Sequence, residues 1–162
     1  MIGSPAGLGE RHGWKLFRAR AFREAMTPLQ AEVERLELQS GDRRKTHPKA
    51  KLLARIVSLI TEEIPGDPHS PIFALGNTLG PTHRHWRRAK FLQRFRLFFR
   101  FDSASRIIVY AWMNDENQLR KAGSREDPYA VFSRRLKAGN PPDDWEELLA
   151  DASEAEGGQR NP

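Results

Sequence analysis

The segment that most constrains the fold is QRFRLFFRF, residues 93–101, because its residues alternate with a period of two. One side of such a strand is apolar and is formed by Phe95, Leu97, Phe99 and Phe101. The other side carries three arginines and one aromatic residue, namely Arg94, Arg96, Phe98 and Arg100. This alternation predicts a strand whose apolar side is buried. The three arginines must then face something other than that core.

Two further segments have the composition of strands: residues 86–92, WRRAKFL, and residues 106–113, RIIVYAWM. A tight turn near Gln93 and the residues DSAS at 102–105 separate the three segments. Connections this short join antiparallel neighbours, so we predict an antiparallel meander. The third segment is apolar on both sides, which predicts a central strand covered by helices.

The chain before these strands has helical spacing. Apolar residues recur at helical intervals at Trp14, Phe17, Ala21 and Phe22. Thr27-Pro28 indicates a further helix start, which we expect to end at Gly41. Thr46-His47-Pro48 predicts the start of another helix, reaching about Glu63. We therefore expect two antiparallel N-terminal helices.

The chain after the strands is polar at 114–126. Asp127-Pro128 then predicts a short capped helix over 129–137, ended by Gly139 and followed by an acidic helical segment. The fold class is therefore α+β. We expect a domain over 14–145, a flexible tail at 1–13 and an acidic, partly disordered tail at 146–162.

Charge is distributed unevenly. The net charge is +6, yet residues 82–106 hold eight Lys or Arg and one acid, while residues 143–156 hold seven acids and no base. A basic segment of this kind suits a polyanion, with nucleic acid the first expectation. There is no cysteine, which excludes disulfides, cysteine–zinc sites and a thiol nucleophile. No apolar run is long enough to span a membrane, and we expect a cytoplasmic protein.

The basic residues of the predicted hairpin fall on one side of it. Arg88 and Lys90 share a face of the first strand, and Arg94, Arg96 and Arg100 share a face of the second. Phosphate is the natural ligand for such a face, because the arginine fork matches its oxygens. Phe98 either stacks on a base or contacts a helix. The alternative is a solvated face, on which arginine stems cover apolar surface.

Metal ligation has little support in the sequence. His83 and His85 stand two apart, but no third ligand has a matching spacing and their neighbours are basic. Asp115 and Glu116 are adjacent and so point apart in a strand or helix. We therefore expect no metal and no cofactor, and we expect the histidines to contact phosphate or to lie on a loop surface.

Several segments together resemble a known family. The segments WRRAKF, RFRLFFRF, VYAWMNDENQLR and DPYAVFSRRLKAGNPPDDW resemble the YhaV toxins, within the RelE-like superfamily of toxin–antitoxin ribonucleases. The resemblance covers about residues 14–145. It implies a RelE-like fold, with two N-terminal helices packed on a small antiparallel sheet, a C-terminal helix and a basic concave face. It also implies the toxin of a type II system, an endoribonuclease that cleaves mRNA in association with ribosomes and without a metal. The implied partner is an AbrB-like, swapped-hairpin antitoxin.

The resemblance also implies site residues. The expected catalytic residues are Arg96, Arg88, Lys90 and Tyr129. The superfamily's late basic residue corresponds to Arg120 or Arg125. From the distribution of basic residues rather than from the resemblance, the expected nucleic-acid contacts are Arg84, His85, Arg87, Arg94, Arg100, Arg120 and Arg125. Three alternatives remain at this point: a non-catalytic nucleic-acid binder, such as an autoregulatory partner on operator DNA; a gyrase-poisoning relative of the same superfold; and a structural scaffold.

Overall fold

The computed structural model describes residues 8–40 and 47–158, in which a five-stranded sheet lies between two hydrophobic cores. The strands are β1 (Glu10–Arg11), β2 (Trp14–Arg18), β3 (Arg87–Phe91), β4 (Phe95–Asp102) and β5 (Ile107–Met113). The helices are α1 (Arg20–Ser40), α2 (Pro48–Ser58), α3 (Ile64–Gly66), α4 (Pro128–Ala138) and α5 (Trp145–Gly158). A π-helical turn, Leu59–Glu63, joins α2 to α3, and 3-10 turns at Pro71–Phe73 and Pro81–His83 precede β3. The α+β class is confirmed.

The sheet has the order β1-β2-β5-β4-β3. Strands β3, β4 and β5 form the predicted antiparallel meander, and β5 is central and almost fully buried. The other neighbour of β5 is β2, which pairs with it in parallel through Leu16 and Ile108. The sheet is therefore mixed rather than purely antiparallel.

The prediction of a helix from Trp14 is wrong, since Trp14 and Phe17 lie in β2 and only Ala21 and Phe22 lie in a helix, α1. Among the described residues, two strands therefore precede the helices. Lys15 is exposed between the buried Trp14 and Leu16, which is the alternation of a strand. The Lys15 N–H donates to the carbonyl of Arg106 over 2.8 Å. Trp14 and Phe17 fit a helical period, whereas Trp14 and Leu16 fit the period of a strand. The partner strand that decides between them lies about 90 residues further along the chain.

The helix start predicted at Thr27-Pro28 is also wrong, because α1 runs through Pro28. The Thr27 hydroxyl donates to the carbonyl of Arg23 over 2.9 Å. Met26 and Leu29, on either side, are both buried in the same core, which holds the helix together across the proline. The predicted helix end at Gly41 lies outside the described residues, as does Thr46.

The start of α2 is as predicted. The His47 imidazole accepts a hydrogen bond from the Lys49 N–H over 3.1 Å, and Pro48 is the first helical residue. The π-helical turn carries the helix to Glu63. Helices α1 and α2 pack together, and their apolar faces cover one side of the sheet with Phe22, Met26 and Ile56.

The opposite side of the sheet is covered too, which corrects the expectation of an open basic face. Phe98 is fully buried, and its ring stacks on Phe132 of α4 with 4.1 Å between ring centroids. Trp112 lies nearly parallel to both rings, at 5.9 Å from Phe132 and 6.1 Å from Phe98. Helix contact, one of the two interpretations of Phe98, is therefore confirmed, and Phe98 is not available to stack on a base.

A bulge in β5 sets the end of this strand. Phe98 pairs with Trp112 but Phe99 pairs with Tyr110, so Ala111 is the extra residue. Ala111 and Trp112 both face the second core, and the next residue, Met113, returns to the first. The bulge therefore changes which core the last residues of β5 face.

The acidic C-terminal segment forms α5, as its helical composition predicted. Leu148 and Ala152 are fully buried, and the Arg20 N–H donates to a carboxylate oxygen of Asp151 over 2.9 Å. This part of the expected tail is therefore packed against the domain. The expected flexible and disordered ends fall partly on 1–7 and 159–162, outside the described residues. None of the described helices is both long and apolar enough to cross a membrane.

Candidate active site

Two arginines from neighbouring strands converge on one tyrosine hydroxyl. The Nε of Arg88, on β3, donates to the Tyr129 hydroxyl over 2.8 Å, and the Nε of Arg96, on β4, donates to it over 3.2 Å. Tyr129 lies in the first turn of α4, and all three residues are less than one tenth exposed. We call these three residues, together with Arg120 and Asp127, the Tyr129 cluster. Three of the four expected catalytic residues are in it.

Asp127 holds the tyrosine and Arg120 in place. One carboxylate oxygen of Asp127 caps α4 by accepting from the Tyr129 N–H over 3.0 Å. The other accepts from the Arg120 guanidinium and from the Lys121 N–H, both over 2.7 Å. The Arg120 guanidinium then lies 4.8 Å from the centre of the Tyr129 ring. Of the two alternatives for the late basic residue, Arg120 is in the cluster, while Arg125 is exposed in the loop.

Asn114 fixes the strand that carries Arg96. Its side-chain oxygen accepts from the Arg96 N–H over 2.7 Å, and its amide donates to the carbonyls of Arg94 and Gln118. Sequence reasoning missed both this role and that of Asp127 beyond capping. The sequence did contain a sign of each role. Asn114 is a polar residue directly after the central strand, and Asp127 stands directly before a helix that begins with proline.

Lys90 and Arg94 lie at the rim of the cluster. Lys90 is exposed and stands directly opposite Arg96 in the β3–β4 register, so it is on the same face. Arg94 is exposed, and its Nε donates to the carbonyl of Arg120 over 3.1 Å. The cluster with Lys90 holds four cationic side chains and one carboxylate, an arrangement that favours an anionic ligand.

The other expected nucleic-acid contacts lie elsewhere. Arg87 points to the opposite side of the sheet, where it donates to the carbonyls of His69 and Ser70, and burial lowers its pKa. Arg100 shares the face of Arg96, but its guanidinium lies 5.5 Å from the ring centres of both Trp86 and Trp145. Burial lowers the pKa of Arg100 as well. Arg84 and His85 are exposed before β3.

The structure brings a carboxylate to the two histidines, for which the sequence had shown no third partner. An oxygen of Asp143 lies 3.1 Å from the His85 Nε2 and 3.3 Å from the His83 Nδ1, and it accepts from the Trp86 indole over 2.6 Å. Burial raises the pKa of the Asp143 carboxyl, but the hydrogen bonds from Trp86 and His85 outweigh it, and the pKa is lowered overall. We call His83, His85 and Asp143 the histidine cluster.

The cationic Tyr129 cluster suits an anionic ligand, and comparison with known proteins defines the class of protein. Residues 16–153 match the Toxin_YhaV family, described as a toxin with endonuclease activity, of a toxin–antitoxin system. The chain is 41% identical over 145 residues to "Ribonuclease toxin YhaV" of Escherichia coli strain K12, covering 88% of this chain and 94% of that protein. It is also 41% identical over 146 residues to "Toxin YhaV" of Escherichia coli O6:H1, covering 89% and 95%.

The chain therefore belongs to the YhaV family of toxins. This membership confirms the resemblance found in the sequence. With the ribonuclease relative, it also supports the expected endoribonuclease. No solved structure matches the chain.

Proposed function

We propose that the Tyr129 cluster is the site at which this toxin cleaves mRNA, without a metal and in association with ribosomes. The observation that carries the proposal is the convergence of Arg88 and Arg96 on the Tyr129 hydroxyl. The Nη1 atoms of the two arginines donate to backbone carbonyls, that of Arg96 to Gln93 and Phe95 and that of Arg88 to Ile72. The two Nε atoms in addition place concentrated positive charge beside a hydroxyl that can exchange a proton.

The chemistry of RNA cleavage fits this arrangement. RNA supplies its own nucleophile, the 2′-hydroxyl, so the protein has to align that oxygen with the phosphate and stabilise the charge that develops. A well-placed donor to the developing charge contributes about 3 kcal/mol or more. In the proposal, the scissile phosphate binds at the rim beside Lys90 and Arg120. The positive charges of the buried Arg88 and Arg96 stabilise the negative charge on it.

Tyr129 is the proposed proton donor. Its hydroxyl oxygen accepts two N–H hydrogen bonds, so its own hydrogen is directed away from both arginines. That hydrogen can pass to a phosphoryl oxygen or to the leaving 5′-oxygen. The cluster contains no evident general base for the 2′-hydroxyl. This is the reason to propose that the ribosome helps to position the substrate.

The metal-free part of the proposal follows from the carboxylates. Asp127 is the one carboxylate of the cluster, and both of its oxygens already accept hydrogen bonds. Outside the cluster, Asp115 accepts from the Asn117 N–H, and Glu116 forms an ion pair with Lys49 over 2.8 Å. A two-metal site requires several carboxylates that converge on the cations, and the Tyr129 cluster holds a single one.

The decisive variant is Tyr129→Phe, which removes the hydroxyl and keeps the ring that contacts Phe98. Cleavage should fall by roughly 100-fold or more, measured by mapping mRNA 5′ ends after brief expression and with purified protein on a reporter mRNA. Tyr110→Phe is the matched control, because it removes a buried hydroxyl that donates to the Ile60 carbonyl in the other core. Equal cleavage activity of the two variants at equal expression would contradict the proposal.

Metal and ribosome dependence are tested separately. Cleavage of naked RNA should survive EDTA, measured well below the unfolding temperature so that loss of a structural ion is not mistaken for loss of catalysis. Adding ribosomes should raise cleavage of the same mRNA. A requirement for Mg²⁺ on naked RNA would contradict the metal-free site, and an unchanged rate with ribosomes would contradict their role.

Membership in the family implies an antitoxin partner. We propose an AbrB-like, swapped-hairpin antitoxin of a type II system that covers the rim at Lys90 and Arg94, since neutralisation then blocks the phosphate. The exposed Arg84 and Arg125 would remain available to operator DNA in that complex, in the cytoplasm. Lys90→Glu should weaken antitoxin binding. If that affinity matches the affinity of the unsubstituted protein, the antitoxin binds elsewhere.

We also propose that the fold is related to the RelE-like fold, with β1 and β2 added before the helices.

A further inference from the structure

We propose that His83, His85 and Asp143 bind a zinc ion that joins the segment before β3 to the start of α5. This inference is independent of RNA cleavage. His83 ends the 3-10 turn before β3, and Asp143 precedes α5 by two residues. The two segments are separated by more than fifty residues in sequence and meet only in the folded chain.

The distances from the Asp143 oxygen to the two histidine nitrogens suit an ion with tetrahedral coordination. With Zn–N and Zn–O distances of about 2.0–2.1 Å, two ligand atoms of a tetrahedral site lie about 3.3 Å apart. The Asp143 oxygen lies 3.3 Å from the His83 Nδ1 and 3.1 Å from the His85 Nε2. The potential ligand atoms of all three residues lie within 4.8 Å of one another, and this is the one such trio among the residues that the structure describes.

The chemistry of the donors also suits zinc. The His83 Nδ1 is buried and makes no hydrogen bond of good geometry, although the carboxylate lies beside it. A buried ring nitrogen of this kind is suited to a metal bond, and imidazole with carboxylate is a donor set that zinc accepts. The Trp86 indole donates to the same carboxylate over 2.6 Å, which would orient it from outside the metal's ligand set.

The surrounding charges permit a cation. The Arg100 guanidinium bonds the Asp143 backbone carbonyl and lies 5.5 Å from the centres of two indole rings, and the carboxylates of Asp143 and Asp144 both offset its charge. Arg84, between the two histidines, is exposed and solvated. The side chains of His83, His85 and Asp143 are 21%, 37% and 39% exposed, which leaves room for water as the fourth ligand.

The position of the ion makes its role structural. Arg100, which contacts Asp143, is four residues along β4 from Arg96, or about 13 Å of strand. The ion would lie away from the Tyr129 cluster and would close the loop of chain between His83 and Asp143. Binding to the folded state alone then stabilises that state by mass action.

The test uses the purified full chain, stripped with EDTA, and zinc chloride alone. We expect one zinc per chain by calorimetry and a rise in Tm of roughly 5–10 °C at about 100-fold excess over Kd. Cobalt chloride should produce the visible absorption of a tetrahedral site. No binding, or binding without a rise in Tm, would overturn the proposal.

Two ligand variants and two controls assign the site. His83→Ala and Asp143→Asn should each lower zinc affinity by more than about 100-fold, since loss of an outer partner alone costs about 10- to 100-fold. Asp143→Asn retains an oxygen to accept from Trp86, which protects the fold. The matched control is His69→Ala, which removes an exposed histidine bonded to Ser103, and it should bind zinc normally. Normal zinc binding by Asp143→Asn, or its loss in His69→Ala, would place the ion elsewhere. Tyr129→Phe should also bind zinc normally, which separates this outcome from that of the proposed function.

Discussion

The two ends of β4 present arginines on the same face of the sheet in different settings. At one end, Arg96 donates to the Tyr129 hydroxyl beside Arg88 and Arg120. At the other end, Arg100 lies between Trp86 and Trp145 and donates to the Asp143 carbonyl. In the sequence the two arginines are equivalent members of one alternating pattern.

The comparison shows that partners, not positions, distinguish the two arginines. Arg100 contacts indole rings and a peptide carbonyl, none of which exchanges a proton near neutral pH. Arg96 contacts a hydroxyl that carries an ionisable proton, in a cluster with excess positive charge. This difference supports the proposal that the reaction takes place at the Arg96 end and that the Arg100 end is structural.

The largest expected effect concerns Phe98, which lies between the two ends. Phe98→Ala should lower the free energy of unfolding by about 3–5 kcal/mol, because it removes a fully buried ring from the stack with Phe132. Urea unfolding measures this. Leu38→Ala, at a side chain that is 90% exposed, is the control and should change little. A small loss for Phe98→Ala would mean that the second core does not join the two ends.

The next effect separates the two arginines. Arg96→Ala should reduce cleavage of a reporter mRNA by about 10²- to 10³-fold, because a donor to the developing charge is lost. Arg88→Ala should do nearly the same, while Arg100→Ala should reduce cleavage less than about tenfold. Thermal unfolding of each variant, together with growth arrest at equal expression, corrects for folding. Equal losses for Arg96→Ala and Arg100→Ala would break the comparison.

A smaller difference between the two ends is expected in RNA binding. The affinity of the Tyr129→Phe protein for single-stranded RNA should fall roughly tenfold or more between ~50 and ~200 mM salt, if three or more phosphates are contacted. Lys90→Gln should reduce the slope of log K against log salt by about 0.7, and Arg100→Gln should leave it unchanged. The reverse pattern would place the RNA at the Arg100 end.

The smallest effect is a pH dependence at the Arg100 end. The pKa of Asp143 is lowered in the folded protein, whereas an unfolded aspartate titrates near about 3.9. The folded state therefore binds fewer protons there, so this contribution to stability is present above about pH 4 and is lost as pH falls through the lowered pKa. In EDTA, the stability difference between the unsubstituted protein and Asp143→Asn should shrink from pH 6 to pH 3. A constant difference would show that the carboxylate is not held by Trp86 and His85.

The sequence by itself determined the features that depend on neighbouring residues. The alternation in 93–101 predicted β4 and its buried apolar side, and short connections predicted the meander of β3, β4 and β5. Asp127-Pro128 and Gly139 predicted the two ends of α4. The resemblance to the YhaV toxins pointed to Arg88, Arg96 and Tyr129, which the structure brings together.

Only the tertiary structure decided the features that depend on distant residues. The parallel partner of β5 is β2, about 90 residues earlier, and its apolar spacing alone fits a helix as well as a strand. The arginine-bearing face of β4 is covered because α4 packs over Phe98 with Tyr129 and Phe132, which alternation within β4 cannot reveal. Asp143 meets His83 and His85 across nearly sixty residues of chain. Periodicity and capping report interactions within a few residues, whereas a site assembled from separate strands and helices depends on how they pack.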